Sequence, residues 1–84
     1  MKPAVVTVLL FGPAREAAGA ERVEIEVFAD TTAGSVLEAL VDRFPVMAAW
    51  IPRARVAVNR AYVAPDTPVD PADEIAVIPP VGGG

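Results

Sequence analysis

From Ala4 to Phe11 the chain reads AVVTVLLF, apolar on both alternating sets of positions except at Thr7. A β-branched run with no polar side predicts a central strand covered on two faces. Gly12-Pro13 ends it. The next segment, PAREAAG, holds about one turn of helix formers closed by Gly19 as a C-cap. Between Glu21 and Phe28 the pattern becomes strict alternation, with Val23, Ile25 and Val27 on one side and Glu24 and Glu26 on the other. That is a half-buried strand, antiparallel to the first if the short connection closes a hairpin.

The period then lengthens. Val36, Leu37, Leu40, Val41 and Phe44 recur at spacings of three and four, which predicts a helix with one apolar stripe and with Glu38, Asp42 and Arg43 facing out. Thr32 is its N-cap and Pro45 its stop. PVMAAWIP lies between two prolines and reads as a packed loop or short turn. Arg55 to Asn59 is a strand, Asn59-Arg60 a tight turn into Tyr62-Val63, and APDTPVDPADE is turn chemistry throughout. Glu74 to Ile78 is the last strand. The order fits a two-layer α+β domain, a mixed sheet of four to five strands with one main helix packed on one face. The last strand is expected beside the first, in the middle of the sheet, because both lack a polar side. Residues 1–80 form that domain and residues 81–84 a flexible glycine-rich tail.

With 84 residues there is room for one core. The chain has no Cys and no His, which removes thiol nucleophiles, imidazole bases, zinc fingers and disulfides together. A net charge of −4 with scattered arginines argues against direct nucleic-acid binding. The opening apolar stretch falls short of the roughly 20 residues that span a bilayer, so neither membrane insertion nor secretion is expected and a cytoplasmic location is. Asp70, Asp73 and Glu74 cluster, but without EF-hand spacing and among prolines, so they read as a solvated turn and no metal site is expected. Arg15 beside Glu16 reads as a rim contact of the core in preference to an anion site. Hydrophobic residues make up 54% of the chain, more than so small a domain readily buries, and a partner could cover the excess. Met47 and Trp50 suit either an interface or the core.

The end of the chain is the remaining oddity. Pro79-Pro80 fixes φ twice and removes two amide donors, so the chain must leave the ladder stiff and extended. Val81 is the last side chain. Gly82, Gly83 and Gly84 offer only backbone, which passes where a Cβ would not. From Pro79 to Gly84 the reach is about 20 Å. Such an arm suits insertion into another protein's active site, carrying an α-carboxylate whose ordinary pKa is about 3.5 and which is inert until activated, for instance by adenylation.

In LLFGPAREAAG at 9–19, Thr32 with the Leu37 and Leu40 helix, AVNRAYV at 57–63, and VDPADEIAVIPPVGGG at 69–84, the chain resembles the MoaD family. These are small subunits of molybdopterin synthase, within the ubiquitin-like β-grasp group of sulfur carriers. The resemblance implies a β-grasp fold. It also implies that the Gly84 carboxylate, with Gly83 behind it, is adenylated by a MoeB-like enzyme and converted to a thiocarboxylate. ATP is used by that activating partner, and this chain itself binds no cofactor. The tail then enters a MoaE-like large subunit, in a heterotetramer, to give sulfur to precursor Z (cyclic pyranopterin monophosphate); the chain is not catalytic alone. Pro79, Pro80 and Val81 match the stem. Gly82 departs from the Ser or other small residue of many members, and Ala72 from a frequent Gly before Asp73. The partner surface is expected on the sheet face opposite the helix, with Phe11, Ile78, Pro79, Pro80, Val81 and Gly82, and with the Met47 to Ile51 segment as a further candidate. Alternatives are a carrier for thiamin thiazole or tRNA thiolation, a ubiquitin-like protein modifier, or a plain interaction domain with an idle tail.

Overall fold

The computed structural model describes residues 4–80. Strands β1 (Ala4–Leu10) and β2 (Arg22–Val27) flank a six-residue helix, α1 (Pro13–Ala18). Helix α2 (Ala33–Arg43) follows, then two 3₁₀ turns at Pro45–Ala49 and Ile51–Arg53, then β3 (Arg55–Val58), β4 (Ala61–Val63) and β5 (Glu74–Ile78). The five strands form one mixed sheet in the order β2-β1-β5-β3-β4. As expected from their shared lack of a polar side, β1 and β5 are neighbours, and they run parallel with Leu10 opposite Val77. β2 is antiparallel to β1, and β3 is antiparallel to both β5 and β4.

Local chemistry sets each junction. Gly12 takes φ 52° and ψ −127°, a conformation open only to glycine, which turns the chain from β1 into α1. The Gly19 amide closes α1 on the Arg15 carbonyl at 2.9 Å. At the start of α2 the Thr32 hydroxyl accepts from the Ser35 amide, and the Ser35 hydroxyl accepts from the Thr32 amide, a reciprocal cap. The next two helix amides are satisfied from a distant loop, Ala33 on the Thr67 carbonyl at 2.9 Å and Gly34 on the Pro65 carbonyl at 2.8 Å. A Cβ on Gly34 would stand 3.1 Å from that Pro65 oxygen, so a glycine lets loop and helix meet.

The core lies between α2 and one face of the sheet. Val6, Val8 and Leu10 of β1, Ile75 and Val77 of β5, and Ile25 of β2 meet Val36 and Leu40 of α2, all buried. Each such side chain contributes about 1.5–3 kcal/mol on leaving water. Met47 is completely buried and Ile51 nearly so, while Trp50 packs partly buried against the same cluster. That decides the reading left open for PVMAAWIP: Met47 and Ile51 are core, and a 3₁₀ path, tighter than a loose loop, delivers them there.

The first strand departs from expectation. It is central in the sheet, yet only Val6, Val8 and Leu10 are buried; Val5 is 41% exposed and Thr7 and Leu9 are half-exposed. A single main helix packs on one face of the five-stranded sheet; on the other, Leu9, Ala76 and Ile78 stay half-exposed and Val5 exposed, although Ala57 among them is buried.

Candidate functional site

The sequence-predicted site has two parts, a tail and the surface from which it leaves. Val81, Gly82, Gly83 and Gly84 lie outside the described residues. Their stem is within them. β5 runs between β1 and β3, so Pro79, half-buried, and Pro80, exposed, follow the end of an internal strand paired on both sides.

The strand register assigns the residues of the uncovered face. Leu9 stands opposite Ala76, Ala76 opposite Ala57, and Ala57 opposite Tyr62, one row running from β1 to β4. Directly opposed residues share a face, so the row is apolar along its whole length. One step nearer the tail, Ile78 stands opposite Arg55. Phe11, just past β1 and continuing the alternation of Val5, Thr7 and Leu9, is 47% exposed. Ile78, half-exposed, immediately precedes the stem and Phe11 is exposed just past β1, while Met47 and Ile51 of the other candidate segment are buried in the core.

Leu9, Ala57, Tyr62, Ala76 and Arg55 were not singled out from the sequence. The signal for Leu9 was Thr7, the one polar residue of the run, which marks the odd-numbered set as the open one. Tyr62 had no such marker, because β4 is three residues long and which face it presents depends on pairing with β3.

Charge divides the face. Arg22, Glu24 and Glu26 of β2 stand opposite Leu9, Thr7 and Val5. At the far corner Arg55 lies 5.3 Å over the ring of Tyr62, which is itself 63% exposed. Four other arginines have protein partners, Arg15 with Glu21 at 3.6 Å, Arg60 with Glu74 at 3.8 Å, Arg43 donating to the Glu24 carbonyl at 2.8 Å and Arg53 to the Ala49 carbonyl at 3.5 Å, while Arg22, opposite Leu9, has no ion pair or side-chain hydrogen bond among the described residues. Arg15 is therefore a brace for the α1 to β2 connection.

Away from the stem, the acidic turn is tied down from several directions. The Asp73 carboxylate accepts from the Asp70 amide at 2.8 Å and from the Asn59 side-chain amide at 2.9 Å. These two donors, the backbone one first, hold the Asp73 carboxyl below its ordinary pKa. Asn59 also accepts from the Glu74 amide, which locks the β3 to β4 turn to the start of β5. Asp73 is thus a structural acceptor. Among the described residues no cluster of three or more acidic side chains is placed to hold a metal ion, and no helix is long and apolar enough to cross a membrane.

The chain is matched over residues 8–84 by the model of the ThiS family. A molybdopterin synthase sulfur carrier subunit of Mycobacterium tuberculosis is 38% identical over 81 residues, 94% of this chain and 96% of that protein. The crystal structure of small archaeal modifier protein 1 from Haloferax volcanii matches with a TM-score of 0.81 at 29% identity, covering 93% of this chain and 99% of that one. A chain from the complex of subunits 1 and 2 of the molybdopterin-converting factor of Helicobacter pylori matches at 0.66 and 25% identity, covering 95% and 99%. The five-stranded sheet with its one main helix is the ubiquitin-like β-grasp.

Proposed function

The chain belongs to the ThiS family, and on that premise we propose that it is the sulfur-carrying small subunit of a molybdopterin synthase. The observation that carries the proposal is the position of the stem. Pro79-Pro80 continues an internal strand beside an uncovered apolar face, so a docked partner would hold the sheet while the tail reaches inward. The name of the Mycobacterium tuberculosis relative supports the carrier role, and the Helicobacter pylori complex supports a large subunit as the docked partner.

The chemistry follows from what a carboxylate lacks. It is a poor electrophile, so an oxygen of the Gly84 carboxylate first attacks the α-phosphorus of ATP on a MoeB-like enzyme and expels pyrophosphate. A sulfide-level nucleophile then adds to the acyl carbon and displaces AMP, leaving a thiocarboxylate. In the large subunit the thiocarboxylate sulfur forms a C–S bond to precursor Z, displacing an oxygen leaving group there, and water then cleaves the acyl–sulfur bond and supplies the oxygen that returns the Gly84 carboxylate. With no Cys and no His, this chain supplies reach and docking, and the partners supply the catalytic groups.

Mass spectrometry tests the reading. Incubated with the activating enzyme, ATP and a sulfur source, the chain is expected to exchange one terminal oxygen for sulfur and then to yield molybdopterin with the large subunit and precursor Z. An unchanged mass refutes it. Deleting Gly84 is expected to abolish transfer while leaving folding and docking intact. The likeness to small archaeal modifier protein 1 favours one second reading, a protein modifier. Isopeptide-linked Gly84 on lysines of other proteins would mark that activity.

A further inference from the structure

Arg55 differs from its neighbours in what it touches. Its guanidinium lies over the Tyr62 ring at 5.3 Å, and among the described residues it has no hydrogen bond or ion pair. It opens β3 directly opposite Ile78, the last residue before the proline stem. An arginine seated over an aromatic ring loses less freedom on binding than an unsupported one and keeps N–H donors available. In a chain of net charge −4, this cation stands at the corner of the apolar face nearest the tail, while the opposite edge of that face carries Arg22 beside Leu9 and then Glu24 and Glu26 farther from the tail. The face therefore has a direction as well as an apolar centre.

We infer that Arg55, fixed on Tyr62, is the orienting contact of the docking face and takes a carboxylate of the large subunit beside the entrance for the tail. This rests on the carrier reading and adds to it a specificity-determining residue. Apolar burial along Leu9, Ala76 and Tyr62 is non-directional and would tolerate rotation about the sheet normal. A forked hydrogen bond from Arg55 at one corner, with repulsion of any acidic patch brought against Glu24 and Glu26 at the other, selects one orientation. That orientation decides whether the stem points into the partner's active site.

The test measures affinity for the cognate large subunit by titration calorimetry for Arg55→Glu, Arg55→Lys and Tyr62→Ala. Arg53→Glu serves as the control, with the same charge change two residues away in a 3₁₀ turn off the face. Arg55→Glu is expected to weaken binding by about 10- to 100-fold, and Arg55→Lys and Tyr62→Ala by smaller factors of about 3 to 10. Arg53→Glu is expected to stay within about 3-fold of the parent. Raising the salt concentration is expected to weaken the parent more than Arg55→Glu. Replacing the contacting carboxylate of the large subunit by arginine is expected to restore binding to Arg55→Glu, a rescue that a merely structural role for Arg55 would not give. Conversion of Arg55→Glu to the thiocarboxylate, read by mass, separates docking from carrier chemistry. If Arg55→Glu binds as the parent does, or no more weakly than Arg53→Glu, the inference falls and the carrier reading stands. If the parent neither takes up sulfur nor binds the large subunit, both fall.

Discussion

Replacing Ile75 and Ile78 by alanine, one at a time, separates the two faces of β5 within a span of four residues. Ile75 is fully buried against the helix, and Ile78 lies on the open face, half-exposed. Truncating Ile75 removes three carbons from the core, about 2.4 kcal/mol of transfer energy at roughly 0.8 kcal/mol per methylene. A residual cavity of about 50 Å³ adds about 1.2 kcal/mol at roughly 24 cal/mol per Å³. The sum, about 3.6 kcal/mol, is a large share of the roughly 4–12 kcal/mol expected for a domain of this size. It corresponds to a fall in Tm of about 15–25 °C. Ile78→Ala leaves no enclosed cavity and is expected to cost about 1 kcal/mol or less, while weakening large-subunit binding because the lost methyl groups belong to the docking face. Urea unfolding followed by circular dichroism measures the first quantity and calorimetric titration the second. If Ile78→Ala destabilised the free chain as much as Ile75→Ala, or left binding unchanged, the assignment of faces would be wrong.

Arg60 holds φ at 72° in the two-residue turn after Asn59, where φ is 51°, so Arg60→Gly is expected to raise stability by about 1 kcal/mol in urea unfolding; its exposed contact with Glu74 at 3.8 Å offsets little of that. Thr32→Ala deletes the acceptor for the Ser35 amide and is expected to cost about 1 kcal/mol, whereas Thr32→Ser costs a few tenths, both read from urea midpoints. Because the Asp73 carboxyl is held below its ordinary value of 3.8, its contribution to stability is fully present above that value and is lost as the pH falls through the lower folded value. Asp73→Asn is therefore expected to lower stability at neutral pH and to make the acid limb of a stability-pH profile shallower. A limb as steep as the parent's would assign the acid sensitivity to other carboxylates.

Much of this molecule is written in local patterns. Glu24 and Glu26 alternating with Val23, Ile25 and Val27 specify a strand with one wet side, and the spacing of Val36, Leu40 and Phe44 specifies the helix, because period reports which side of an element meets the core. Thr32, Gly19 and Pro45 mark boundaries through the backbone groups they satisfy or remove. The chemical character of the tail is equally local, since two prolines and three glycines have their properties wherever they stand.

Facing is different. An all-apolar strand such as Ala4 to Leu10 has the same sequence whether one or both of its faces are covered by its own chain. Only the count of covering elements, one main helix for five strands, shows that Val5 and Leu9 are left for something else. Met47 is equally apolar on an interface or in a core, and its burial depends on a 3₁₀ path around the end of α2. The placing of Arg55 opposite Ile78 is a matter of register between β3 and β5, strands separated by a long stretch of chain, which no local pattern encodes, whereas its seat over Tyr62 comes from the local β3 to β4 hairpin. The sequence by itself determined the elements and the reactive end; the tertiary structure decided which surface accompanies that end, because pairing and coverage are long-range properties of the folded sheet.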